Sequence, residues 1–266
     1  MKTRRPSPLR SRTGFTLVEI LISLSITVLA MGLTLGTFLF GLRTMYKDTQ
    51  RLATNASLRS FMAQISKETL DASYFYLFQY YTKLDGNVDL SADPLVPALT
   101  IDDPGTDYDK YTAHGDCLVL VTNTSLSSTT KIRQVRVYYR LTTSQATMNA
   151  EAPLRYYETT DWGTTGDVDG SGNAVSLTTI LNSIDLKDYP TIAGSKLISS
   201  RTKGRAVPSP YTGYTAGDLY PVFSSESPNA NATNGYISIN VEFINGSTVN
   251  SMLSSSSFNY TISPRR

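Results

Sequence analysis

From Phe15 to Leu42, 28 consecutive residues contain one charged side chain, Glu19. No proline occurs between Pro8 and Pro94, so nothing interrupts a helix there. At 1.5 Å per residue such a helix spans about 42 Å, enough to cross a hydrocarbon core about 30 Å thick. Beyond Leu42 the composition turns polar while apolar positions still recur at helical spacing, at Leu52, Ala56, Leu58, Phe61 and Ile65. Arg43, Lys47, Arg51, Arg59, Lys67 and Glu68 fill much of the remaining surface. The pattern predicts one helix from about Phe15 to about Ala72, membrane-spanning over 15–42, with an amphipathic continuation assigned to 43–82. The spacing is too short and irregular for a coiled coil, so the amphipathic stripe needs a sheet to pack on.

Period-two patterns and buried-looking runs follow. Asp116 to Asn123 holds the apolar run Cys117 to Val121, and Lys131 to Leu141 alternates at Ile132, Val135, Val137 and Tyr139. Leu154 to Tyr157, Gly235 to Ile244 and Phe258 to Ile262 read as further strands. Together they predict an antiparallel sheet with one face on the helix, within a β-rich domain over 83–266. Six of the eight residues from Tyr74 to Tyr81 are aromatic; leaving a helix, they are expected to cap a core, the alternative being a carbohydrate or partner surface. Residues 199–234, rich in Ser, Pro, Gly, Tyr and Asn, read as long surface loops.

Composition narrows the chemistry. The 266 residues carry 24 Lys and Arg against 22 Asp and Glu, for a net charge of +2. That balance argues against a nucleic-acid partner. One cysteine, Cys117, permits neither an internal disulfide framework nor a Cys-based zinc site. A Ser-His-Asp triad could use only His114, and no catalytic cluster is seen, so the chain reads as a non-enzyme. The charge is uneven: Lys2, Arg4, Arg5, Arg10 and Arg12 lie in residues 1–14, which hold no acid. The rest of the chain is slightly acidic. A basic leader before an apolar run is a targeting signal and places that leader on the cytoplasmic side.

Glu19 is the unusual feature of the apolar run. A carboxylate inside a membrane helix is costly and generally has a partner and a purpose; the alternative is an interfacial acid that snorkels on a plain anchor. Gly14 marks the boundary between basic leader and apolar helix. Gly32 and Gly36 form a small-xxx-small face that lets helices approach closely.

The string Arg12-Thr13-Gly14-Phe15-Thr16-Leu17-Val18-Glu19-Ile20-Leu21-Ile22 closely resembles the class III signal of type IV prepilins and type II secretion pseudopilins. The resemblance implies cleavage between Gly14 and Phe15 by a prepilin peptidase, with residues 1–14 removed, and methylation of the new Phe15 amine. It also implies that Glu19 is the assembly carboxylate, pairing with the Phe15 amine of a neighbouring subunit. Opposite charges at short range in low dielectric stabilise each other and set register. Family members often carry proline near the position of Gly36; this chain does not. The strand sequences Val135 to Arg140, Leu154 to Tyr157 and Phe258 to Arg265 more loosely resemble minor pilins and J-type minor pseudopilins.

The resemblance implies a pilin-like α+β fold and partners in the prepilin peptidase, other pilin or pseudopilin subunits and the inner membrane. It implies a single pass in a bacterial inner membrane with a periplasmic C-terminal domain, then a filament. The rival reading is a membrane-anchored periplasmic binding protein that never assembles. No cofactor is expected. Calcium is the sharp alternative for the acidic stretch 85–109 (Asp102, Asp103, Asp107, Asp109) and for the Asp167 to Asn173 turn with Asp167 and Asp169. A solvated loop and a plain Gly/Asp turn are the favoured readings, since Thr178 stands where a calcium loop needs a bidentate carboxylate.

Overall fold

The computed structural model describes residues 14–86, 100–101, 111–125, 131–186, 195–204, 218–227, 236–245 and 254–262. The chain divides into two units, residues 1–49 and 50–266. Helix α1 (Leu17–Asp71) contributes to both. In the first unit every described residue is exposed, although most of its side chains are apolar. The hydroxyls along it are self-satisfied. Ser23 donates to the Ile20 carbonyl at 3.0 Å, Ser25 to Leu21 at 2.9 Å, Thr27 to Ser23 at 2.7 Å and Thr37 to Leu33 at 3.1 Å. Thr34 donates likewise to Ala30. No polar hydrogen of these five side chains is left for the surroundings to satisfy.

The second unit is an antiparallel sheet of ten described strands: β1 (Tyr74–Phe78), β2 (Thr100–Ile101), β3 (Tyr111–Gly115), β4 (Cys117–Asn123), β5 (Ile132–Arg140), β6 (Ala152–Glu158), β7 (Lys196–Lys203), β8 (Phe223–Ser227), β9 (Tyr236–Asn245) and β10 (Ser254–Ile262). The order is β1-β4-β5-β6-β7-β9-β8-β3-β2, with β10 also on β9. Strand β9 branches the sheet. One edge pairs β10 over nine residues, while the other is shared between β7 at Glu242–Phe243 and β8 at Tyr236–Ile239. The end of β1 closes on the β3–β4 junction, where the Asp116 amide donates to the Gln79 carbonyl at 3.1 Å. Gly115 is required at that junction: a Cβ there would collide with the Phe78 carbonyl.

Alternation on the strands feeds two cores. Phe75, Leu77, Leu118, Leu120, Tyr138, Leu154 and Tyr156 face one way, with Ile237, Ile239, Val241 and Phe243 of β9, and meet Leu58, Phe61, Met62 and Ile65 of α1. The ring of Phe61 lies 5.9 Å from Tyr138 and 5.7 Å from Phe243. The opposite face of β1, β4 and β5 is buried too. Cys117, Val119, Val121, Val135, Val137 and Tyr139 pack under Leu177, Ile180 and Leu181 of the short helix α3 (Leu177–Asn182) and the following Ile184 and Leu186. This second cover explains the unbroken apolar run of β4, since a strand buried on both faces cannot alternate.

The α+β architecture, a long N-terminal helix followed by an antiparallel sheet, matches the expected pilin-like fold. Several elements differ from the sequence reading. The helix ends at Asp71, so 72–82 is not its continuation; β1 occupies Tyr74–Phe78 and a single 3-10 turn Tyr81–Leu84. The stripe that packs is Thr54, Leu58, Phe61, Met62, Ile65 and Thr69. Leu52 is 70% exposed and Ala56 is also exposed, because at 100° per residue both point away from that arc. The expected loops of 199–234 include the end of β7 and all of β8, and the acidic stretch 85–109 includes β2. The short helix α2 (Gln145–Met148) and α3 were also not foreseen.

Candidate functional site at the start of the long helix

Gly14, Phe15 and Thr16 precede the first turn of α1. Thr16 and Glu19 form a reciprocal cap on that turn. The Glu19 amide donates to Thr16 Oγ1 at 3.3 Å, while Glu19 Oε2 accepts from the Thr16 amide at 2.9 Å and from Thr16 Oγ1 at 3.0 Å. Ile20 N–H closes the first turn on the Thr16 carbonyl at 3.3 Å. The four N-terminal amides of a helix have no intrahelical partners, and a Thr-x-x-Glu box satisfies two donors at once. The carboxylate therefore has an occupation within its own chain, beside the peptide bond at which cleavage is expected. Phe15 is 83% exposed. Gly32 and Gly36 have open space where a Cβ would stand, so their face is clear within the subunit.

α1 is long and apolar enough to cross a membrane. The decisive comparison falls on the same residues. Residues 9–35 carry the prokaryotic N-terminal methylation motif. The motif covers Gly14, Phe15, Thr16 and Glu19 and runs on through Gly32 into the apolar helix, consistent with a type IV pilin or pseudopilin precursor. No curated protein and no solved structure matches the chain. Where the motif ends, at Leu35, so does any family assignment of the sequence.

The sheet unit holds two polar clusters that sequence reading missed. Asp116 and Arg140 are both fully buried, with Asp116 Oδ2 3.0 Å from Arg140 Nη1. The carboxylate also accepts from the Val222 amide at 2.9 Å and the Thr142 hydroxyl at 2.7 Å. Arg140 Nη2 donates to the carbonyls of Met148, Ala150 and Thr202. Burial holds the Asp116 carboxyl above its ordinary value, against the opposing pull of Arg140, the Val222 amide and the Thr142 hydroxyl. With the carboxylate ionised against Arg140, neither buried charge stands alone. Glu68, near the end of α1, forms the second cluster. It accepts from Tyr138 at 2.6 Å and from Tyr156 at 3.0 Å, and Arg136 lies 3.9 Å away. Burial, then the Glu68 charge, raises the Tyr138 hydroxyl far above its ordinary value. Both clusters tie elements together.

Other candidates are placed as follows. His114 lies on β3 with its ring stacked on Tyr220 at 5.2 Å between centroids. Cys117 is buried, and burial together with the Asp116 charge pushes its thiol well above the ordinary range. The Asp167 to Asn173 segment is a closed turn: Asp169 Oδ1 accepts from the Ser171 and Asn173 amides, each at 2.9 Å, and Gly172 sits at φ 82°. Asp167 is held by its own amide on the Ile132 carbonyl at 2.8 Å. Among the described residues no group of three or more His, Cys, Asp or Glu is gathered for a metal. Asp102, Asp103, Asp107 and Asp109 lie outside the described residues, as does the leader before Gly14.

The missed residues differ in how far the chain signals them. Thr16-Leu-Val-Glu19 ahead of an apolar run is a capping-box signature. Asp116 and Arg140 carried none: they are 24 positions apart and only strand pairing joins them.

Proposed function

We propose that this chain is a structural minor pilin or pseudopilin: cleaved between Gly14 and Phe15 by a prepilin peptidase, methylated on the Phe15 amine, and assembled through α1 into a type IV pilus-like or type II secretion filament. A non-enzymatic role at the tip or in priming suits its large, non-uniform sheet unit better than a role as bulk subunit. The observation that carries this reading is the methylation motif over residues 9–35, continuous with a membrane-capable helix whose first part is exposed throughout. A positive leader keeps the N-terminus cytoplasmic and sends the sheet unit to the periplasm. Cleavage turns the Phe15 amide into a cationic amine at the end of an apolar helix, and Glu19 of a neighbour supplies the opposite charge.

Mass spectrometry of the mature N-terminus is the test, with methyl-Phe15 as the expected first residue. An intact leader, or a cut beyond the apolar run, refutes the assignment. Gly14→Leu should leave only the longer precursor on immunoblots, because a peptidase cleft must approach the backbone closely at the cut.

A further inference from the structure

Where α1 leaves its apolar run, three side chains share one face. Arg43, Tyr46 and Lys47 are all exposed, and their spacing of three and four residues makes them neighbours on the helix surface. At 1.5 Å per residue, Arg43 lies about 39 Å along the helix from Leu17 and Lys47 about 45 Å. A bilayer has a hydrocarbon core about 30 Å thick and measures about 40–45 Å with its headgroups. A helix whose capped end lies at one surface therefore carries both cations to the headgroup layer of the other. Neither cation is engaged within the chain. Among the described residues no ion pair includes Arg43 or Lys47. The hydroxyls beside them are turned onto the helix itself, Thr44 donating to the Phe40 carbonyl at 3.0 Å and Thr49 to Met45 at 2.8 Å. Asp48 is the one acid between Glu19 and Glu68. It lies about 140° round the helix from Arg43 and about 100° from Lys47, and is nearer to Arg51.

We infer that Arg43, Tyr46 and Lys47 form a site for the headgroup of an anionic phospholipid. The planar guanidinium of Arg43 matches two oxygens of a phosphodiester at once, and Lys47 adds a second positive charge. Tyr46, 56% exposed, stands at the depth where amphipathic rings settle in a membrane interface. Depth selects the occupant, because these side chains enter the phosphate layer of any bilayer that the helix crosses. Charge selects the class of lipid. Two cations without a counter-ion favour a headgroup of net negative charge over a zwitterionic one, whose own ammonium opposes them. Each cation held near an anionic surface strengthens attachment about fivefold. The site rests on α1 crossing a bilayer, as in the proposed function, and is independent of cleavage at Gly14.

The experiment titrates dioleoylphosphatidylglycerol, and in parallel dioleoylphosphatidylcholine, into the purified full chain in neutral detergent. Native mass spectrometry counts the bound lipids. The leader has cations of its own, so Lys2, Arg4, Arg5, Arg10 and Arg12 are replaced by Gln in every protein compared. The glycerol lipid should bind at least tenfold more tightly than the choline lipid, the order expected of two cations. Arg43→Gln/Lys47→Gln should abolish that preference. Arg59→Gln/Lys67→Gln removes the same charge from exposed positions further along α1 and should leave the preference intact. Equal binding of the two lipids overturns the inference and leaves an acidic protein surface as the occupant. Equal loss in the two double variants also overturns it, by assigning the attraction to net charge alone. Alkaline extraction of membranes holding the chain separates this site from the reading beneath it. A chain that washes off refutes the membrane-spanning role and the site together; one that stays but shows no lipid preference refutes the site alone.

Discussion

Replacing Asp116 by alanine should be among the most damaging single changes in the sheet unit. The substitution removes one carboxylate that serves three donors: Arg140 Nη1 at 3.0 Å, the Thr142 hydroxyl at 2.7 Å and the Val222 amide at 2.9 Å. Arg140 has no exposed side-chain surface, so its charge cannot turn to water. Leaving one member of a buried pair costs roughly 3–5 kcal/mol, against a total stability of about 5–15 kcal/mol for a typical domain. Arg140→Met exposes the converse fault, a buried anion with only the Thr142 and Val222 donors. The double variant leaves neither charge and should cost less than the two singles added together, by about 2 kcal/mol or more. Urea titration of the full chain in mild detergent reads this through Trp162, the single tryptophan, which packs half-buried against the outer core. Singles within about 1 kcal/mol of wild type, or strict additivity in the double, would refute the argument that charge isolation carries the cost.

Three further outcomes are expected. Phe61→Ala removes the ring that joins α1 to Tyr138 and Phe243 and should cost about 3–5 kcal/mol in the same titration. Glu19→Gln retains a group able to complete the Thr16 cap but lacks the charge, whereas Glu19→Ala loses both. If neighbour pairing is the role of this carboxylate, crosslinking to other filament subunits should fail in both variants at matched mature levels; if only the cap matters, Gln should rescue. Asp161 is held at about 2, first by its hydrogen bond to Arg133 and then by the Gly163 amide. Its folded value lies below an unfolded value near 3.9, so its contribution is present above pH ~4 and fades as pH falls towards 2. Asp161→Asn should therefore flatten that part of the acid-unfolding profile, as circular dichroism would show.

The helix was legible because 28 mostly apolar residues with one charge and no proline leave one solution, and Leu58, Phe61 and Ile65 mark its packed face correctly. The end of the helix was not, since no glycine follows Asp71. The stop comes from tertiary pairing, where the Ser73 amide meets the Val121 carbonyl at 2.8 Å and the aromatic run joins β4. The central strands β4, β5, β6 and β9 were read nearly to their bounds because their apolar positions alternate or run unbroken. β7 was lost for the opposite reason: Leu197 and Ile198 are the only apolar residues of Lys196 to Lys203 and stand side by side, so no alternation marks a strand, and the segment takes its strand state from β6 and β9. At the N-terminus Gly14, Phe15 and Glu19 stood out by position, while Thr16 went unread although its spacing to Glu19 is that of a capping box. The buried Asp116–Arg140 pair shows where a single sequence is silent, because spacing along the chain does not record which strands will lie side by side.

The self-bonded hydroxyls of α1 bear on how one segment can live in two solvents. Ser23, Ser25, Thr27, Thr34 and Thr37 carry their acceptors with them on the preceding turn. Transfer of this segment from hydrocarbon to the interior of a protein bundle therefore breaks none of those bonds and requires none to be made. What changes is dispersion contact, which is similar in lipid and in packed side chains. Extraction from the bilayer can then approach isoenergetic for most of the segment, leaving the small terms at its ends to decide the direction. On the proposed function, a helix furnished in this way would pass from bilayer to filament without a polar ransom, held in the bilayer only until something better packed is offered.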